Sequence, residues 1–342
     1  MFILCKNSNF QLICKRHSLI HDFSPPHFTI FFCGMGLKCY FYFMKLKVCM
    51  RNMCLRNMCM RNIGVIRIVI LSLMALQANY GIASTADGAS ETDTVEDTGG
   101  VVVIPQGVTS IDDFAFADRM DIRKVVVPEG VKSIGEYAFL GCGNLESVSL
   151  PQSLESIGEG AFRECGALKS LAIPRRVSVI PRYMCAWDSS LVSVSLPAHL
   201  KDISSHAFAY CGALREIDIP DEVAHIGSNV FSRCESLEKV VVPVSVTELE
   251  SYAFSDCGAL RSVVLPANKK MLGEYLFIGC HNLTDITCMS ATPPTFDCGS
   301  PVFDLSEDFM YGRCRLNVPE RSLNLYRQAP VWHLFRSIQP QP

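Results

Sequence analysis

Proline recurs every 23 residues, at Pro105, Pro128, Pro151, Pro174, Pro197, Pro220, Pro243 and Pro266. Eight units of one length without an insertion are the mark of a stacked repeat, because one extra residue in a coil would break register with the next. The loops that build an enzyme's active site would not keep such a count.

The unit 128–150 shows what repeats. Its apolar positions are Val131, Ile134, Ala138, Phe139, Cys142, Leu145, Val148 and Leu150. Val148 and Leu150 alternate with Ser147 and Ser149, the two-residue period of a half-buried strand. Pro151 ends that strand, since proline has no N–H for a ladder. Val131 and Ile134 lead into Ala138, Phe139 and Cys142 at spacings of three to four. That spacing predicts a turn of helix on the opposite side, with room for a second short strand before it. A unit has about five large apolar side chains, worth roughly 1.5–3 kcal/mol each when buried. They offset the ordering cost of the chain only when a neighbouring unit covers them. The expected fold is a β-solenoid of eight units, with a parallel sheet on one face, short helical turns on the other and a C-terminal cap.

The string Gly-Glu-Tyr-Ala-Phe-Leu-Gly-Cys-Gly-Asn-Leu-Glu-Ser-Val-Ser-Leu-Pro at 135–151 resembles the BspA-like leucine-rich-repeat family, and the likeness covers all eight units. The C-terminal segment is similar too. It has Thr292-Pro293-Pro294, a strand ending in Val318-Pro319, then Tyr326, Trp332 and Phe335. The resemblance implies secreted or surface proteins of anaerobic gut and oral bacteria, and of some protists. Several of these are implicated in adhesion to host matrix proteins or to other cells. It carries over no catalytic residue.

Outside the repeat the composition changes abruptly. Residues 1–59 hold seven of the seventeen cysteines and show no helical or strand period. This leader reads either as a start assigned too far upstream or as a membrane-associated segment. No Cys-x-x-Cys pair and no suitably spaced histidine supports zinc there. Residues 60–84 follow signal-peptide grammar: Arg61 and Arg67, an apolar run from Ile68 to Leu76, then Ala78, Gly81, Ala83 and Ser84. The run is shorter than the about 20 residues of a membrane span, so no span is expected in the mature chain, and the expected location is secreted or cell-surface. Residues 85–100, acidic and without a basic residue, read as a solvated linker. The solenoid is expected over 101–288 and the cap over 289–342. The strand at 101–104 has no unit before it, so its outer edge is either covered by the linker or exposed.

Two features bear on function. A cysteine column runs Cys142, Cys165, Cys211, Cys234, Cys257, Cys280. It reads as a ladder of buried thiols. The alternative is disulfides between neighbouring coils, whose spacing suits the bond but whose side chains run parallel. Unit four, 174–196, departs from the template. Met184-Cys185 replaces Ala-Phe, Asp188 replaces the column cysteine, and Arg175, Arg176, Arg182, Tyr183 and Trp187 come together. Tyr, Trp and Arg are the residues enriched at interaction hot spots, so these five are the candidate partner-binding residues. The competing reading is a drifted repeat in which Trp187 refills the volume of the missing phenylalanine. The outward strand positions Ser147, Ser149, Ser170, Ala172, Ser193 and Ser195 offer a flat surface that could also accept a partner.

No nucleophile elbow, phosphate loop, dinucleotide fingerprint or metal column appears. A net charge of −3 gives no reason to expect nucleic acid. The sequence points to a non-catalytic protein without cofactor or metal, binding a protein or a glycan at the cell surface. The alternative is an envelope spacer with no specific ligand.

Overall fold

The computed structural model describes residues 2–6, 9–13, 83–85, 96–267, 271–296, 302–303 and 308–341. The chain divides into two units, Met1–Ala78 and Asn79–Pro342. In the first, the described part is an antiparallel hairpin, Phe2–Lys6 against Asn9–Ile13, in a stretch whose sequence shows no strand period. The rest of the expected leader, and all of the expected signal peptide before Ala83, lie outside the described residues.

The second unit is a β-solenoid of about ten turns. Each coil has three sides. The first is a three- to four-residue strand at the end of a repeat, such as Lys124–Val126 or Ser147–Ser149. These strands stack in parallel with a register of 23 residues, Val102 opposite Val125 and Val125 opposite Val148. Ser147 and Ser149 face out, as their alternation requires. The second side is the short strand that the unit had room for. It is two residues long in most coils, as at Ser133–Ile134, Asp202–Ile203 and His225–Ile226, and again stacked in parallel.

The third side is where helical turns were expected, and the turns there do not run on into helix. Alternate amides serve two ladders. Leu140 N–H donates to Tyr137 O within its coil (3.1 Å), whereas Phe139 N–H and Gly141 N–H donate to Ala161 O and Arg163 O of the next coil (2.8 Å each). This alternation needs a left-handed residue at every fourth position. Two columns supply it: Phe114, Tyr137, Gly160, Tyr183, His206, Asn229, Tyr252, Tyr275, and Asp118, Gly141, Glu164, Trp187, Tyr210, Arg233, Asp256, Gly279, all with φ between 52° and 74°. A side chain other than glycine is strained there. The cross-coil hydrogen bonds fix the conformation in spite of that cost.

The core lies between the three sides. Phe116, Phe139 and Phe162 stack at 5.2–5.4 Å between ring centroids, and Phe208, Phe231, Phe254, Phe277 and Phe303 at 5.5–5.9 Å. The gap falls at Cys185. The cysteine column consists of free thiols, buried throughout. Each S–H donates to a carbonyl 26 residues back, Cys142 to Phe116 O at 3.1 Å and Cys280 to Phe254 O at 3.1 Å among them. Inter-coil disulfides are therefore absent from this column.

Both ends of the stack are covered. At the first coil Glu96–Thr98 pairs antiparallel with Val101–Val103, and Ala83–Thr85 pairs antiparallel with Val108–Ile111. Part of the acidic stretch expected to be a linker is thus a strand, because the open edge of the first coil offers it unpaired backbone groups. At the far end two further parallel strands, Arg315–Val318 and Ser337–Pro340, extend the sheet, and Thr295–Phe296 extends the other. Phe303, Tyr326, Trp332 and Phe335 are buried in edge-to-face contact behind them. The Trp332 indole N–H donates to Pro294 O (2.9 Å) and the Tyr326 hydroxyl to Ser290 O (2.9 Å).

Candidate interaction surface

Unit four interrupts more than the sequence template. The coil carrying Ser147–Ser149 and Ser156–Ile157 is not ladder-bonded to the coil carrying Ser170–Ala172 and Val179–Ile180 on either sheet. The turn ladder carries across this seam, with Phe162 N–H to Met184 O at 2.9 Å and Glu164 N–H to Ala186 O at 3.0 Å. Side-chain contacts cross it as well. Arg176 pairs with Glu155 (3.2 Å), the Asp188 carboxyl accepts the Cys165 N–H (2.7 Å), and the Arg163 guanidinium lies 4.5 Å from the centre of the Trp187 ring.

The core at this level is filled by Met184 and Cys185, both fully buried. Trp187 does not refill the lost phenylalanine. It sits in the second left-handed column, partly exposed, and stacks on Tyr210 of the next coil at 4.9 Å. The Arg233 guanidinium covers the far side of Tyr210 at 5.3 Å and pairs with Asp256 at 3.5 Å. Beside this stack, Tyr183 packs on His206 at 4.8 Å in the first left-handed column, and Tyr183 and Trp187 are 6.4 Å apart. Arg182 lies 5.6 Å from the Tyr183 ring. The result is a two-by-two tile of aromatic rings, Tyr183, His206, Trp187 and Tyr210, rimmed by arginines.

Arg182, Tyr183 and Trp187 therefore come together as expected. Arg175 and Arg176 do not join them: they are exposed at the corner between the two sheets, where Arg176 is engaged with Glu155. Arg163, His206, Tyr210 and Arg233 complete the tile and were missed. The columns that hold them are legible at the 23-residue spacing once the left-handed positions are known. Tyr210 is one of the few large apolar side chains that remain exposed. The burial of His206, with Arg182 and Arg163 nearby, holds its imidazole below the ordinary histidine range, so it is neutral at pH 7. Elsewhere the columns pair aromatic rings in the first column only, Phe114 with Tyr137 and Tyr252 with Tyr275.

Asp188 is fully buried, and its second carboxyl oxygen has no hydrogen-bond partner. Burial pushes its pKa well above the usual carboxylate range. The flat outer face of the long-strand sheet offers less to a partner. Its large exposed apolar side chains, Val103 and Val241, stand six coils apart. A second polar cluster, centred on His225, lies on the short-strand sheet. Among the described residues no group of His, Cys, Asp and Glu is placed to hold a metal ion, and no helix is long and apolar enough to cross a membrane.

A family model of the BspA type leucine rich repeat region matches residues 100–214 and 201–295. The chain belongs to this family. Among solved structures it is similar to a leucine-rich repeat protein from Bacteroides ovatus, with 20% identity and a TM-score of 0.52 over 76% of this chain and 75% of that one. It is also similar to a Treponema pallidum leucine rich repeat protein, with 31% identity and a TM-score of 0.29 over 55% of this chain and 69% of that one. A leucine rich cell surface protein from Faecalibacterium prausnitzii gives 22% identity and a TM-score of 0.36 over 71% of this chain and 79% of that one. No curated protein matches. Family and fold are those of leucine-rich-repeat proteins, which fits a non-catalytic repeat module.

Proposed function

We propose that this BspA-type protein is exported and acts at the cell surface as a binding module for a protein or glycan, with the aromatic tile of units four and five as its contact surface. The observation that carries the reading is the convergence of aromatic rings in both left-handed columns on two successive coils, flanked by Arg163, Arg182 and Arg233. Aromatic and arginine side chains held rigid by stacking lose little entropy on binding, which suits a hot spot. The serine-rich sheet face has no comparable anchor and would contribute shape rather than energy. Nothing in this role calls for catalysis, a cofactor or nucleic acid.

The test is equilibrium binding of the full chain to immobilised host-matrix proteins and to a glycan panel. Trp187→Ala and Tyr210→Ala are each expected to weaken binding by about tenfold or more, in line with a hot-spot truncation above 1.4 kcal/mol. Ser170→Ala on the sheet face is expected to leave it unchanged. Binding that survives both ring truncations would move the site elsewhere. Absence of any ligand would favour the spacer reading.

A further inference from the structure

At unit five one side of the solenoid lacks its strand. Arg215 makes the last cross-coil bonds there, its N–H to Val192 O at 3.4 Å and its carbonyl to Glu238 N–H at 3.1 Å, and residues 216–219 form no strand. Exposed Glu216 and Asp218 are poor strand formers. On the short-strand sheet the same coils stay in parallel register, Asp202 opposite His225 and His225 opposite Glu248.

His225 stands at the centre of that sheet with a side chain 25% exposed. Its Nδ1 is 2.5 Å from Asp202 Oδ2 and its Nε2 is 3.1 Å from Glu250 Oε1, with Glu248 Oε2 at 4.0 Å. Both close carboxylates are held by hydroxyls. The Ser204 hydroxyl donates to Asp202 (2.6 Å), and the Ser228 hydroxyl and N–H donate to Glu250 Oε2 (2.6 and 2.9 Å). Among the described residues no lysine or arginine forms an ion pair with Asp202, Glu248 or Glu250. The imidazole is therefore the cation available to three carboxylates on the two coils that flank its own. Protonated, it donates from both ring nitrogens. Neutral, it donates from one and turns a lone pair toward the other carboxylate.

We propose that Asp202, His225 and Glu250 form a proton-operated clamp that ties three coils together where the opposite sheet is open. Burial works against the charged imidazole, but the hydrogen bonds to Asp202 and Glu250 outweigh it and hold His225 above its ordinary 6.5. A raised pKa contributes stability that is fully present below the unfolded value and lost as pH rises through the folded value. The clamp is thus closed in mildly acidic medium and opens toward alkaline pH. On the acid side the Ser228 and His225 contacts hold Glu250 below its ordinary 4.5, so the clamp persists until Glu250 itself is protonated.

The test is amide hydrogen exchange of the full chain between about pH 6 and 9, corrected for the intrinsic rate, with histidine ring resonances followed over the same range. Protection around residues 202–226 is expected to fall severalfold in the parent as pH rises, while coils near Ser133–Ile134 do not change. His225→Gln, which keeps one donor, is expected to lose the pH dependence. Identical pH profiles in parent and variant would overturn the proposal. If His225→Gln does not fold, the parent's own ring titration decides. A His225 midpoint above about 6.5 supports the clamp, and one at or below that value overturns it.

Discussion

The cysteine column shows why a residue type can repeat for a reason other than reactivity. Each thiol fills a small buried volume and gives one weak hydrogen bond to a carbonyl of the preceding turn, as Cys234 does to Phe208 O at 3.3 Å. Burial pushes the Cys142 thiol up to about 12, so that thiol is chemically inert at neutral pH. Asp188 is the exception within the column. Its carboxyl accepts the Cys165 N–H, at the cost of being taken wholly out of water. Because its folded pKa is raised, it contributes fully only below its unfolded value of about 3.9 and loses that contribution as pH rises. Asp188→Cys, which restores the column, is expected to stabilise the protein at pH 7 by about 1–2 kcal/mol, with the gain shrinking toward pH 4. Urea denaturation of parent and variant at the two pH values checks this. A destabilised variant at pH 7 would show that the Asp188 to Cys165 bond matters more than burial.

Among the elements, the stacked phenylalanines and the left-handed columns make opposite contributions. Phe231 is fully buried between Phe208 and Phe254, at 5.7 and 5.5 Å. Phe231→Ala is expected to cost about 3–5 kcal/mol. Tyr252 stacks on Tyr275 at 4.9 Å but is 37% exposed, and Tyr252→Ala is expected to cost about 1 kcal/mol. Denaturant midpoints at unchanged slope would measure both, and equal losses would contradict the assignment of one ring to the core and the other to the ladder. The core columns and the long strands were legible in the sequence because burial and alternation leave a periodic apolar record. The turn ladder was not, because phenylalanine, tyrosine, glycine, histidine and asparagine share one column there. What they have in common is a left-handed φ, for which no hydrophobic period exists. For the same reason Arg182, Tyr183 and Trp187 could be grouped from their closeness in sequence, whereas Tyr210 and Arg233, one and two coils on, could not. Arg175 and Arg176 were grouped with them on sequence closeness alone, and the corner of the coil separates them.

For the molecule as a whole, the regular repeat hides three irregular places: the covered first coil, the seam at unit four and the open strand position at unit five. The first bears on export. Ala83–Thr85 and Glu96–Thr98 serve as edge strands of the first coil, so processing that removed them would leave two edges unpaired and prone to association. The account rests on export of the solenoid to a place where its tile can meet a partner. The most direct measurement is intact mass with N-terminal sequencing of the protein recovered from the native cell-envelope fraction. The account predicts a start between residues 79 and 83, with the edge strands retained and the cysteine-rich leader gone. A mature chain that begins at Met1 would contradict export through this signal and remove the main support for binding at the cell surface.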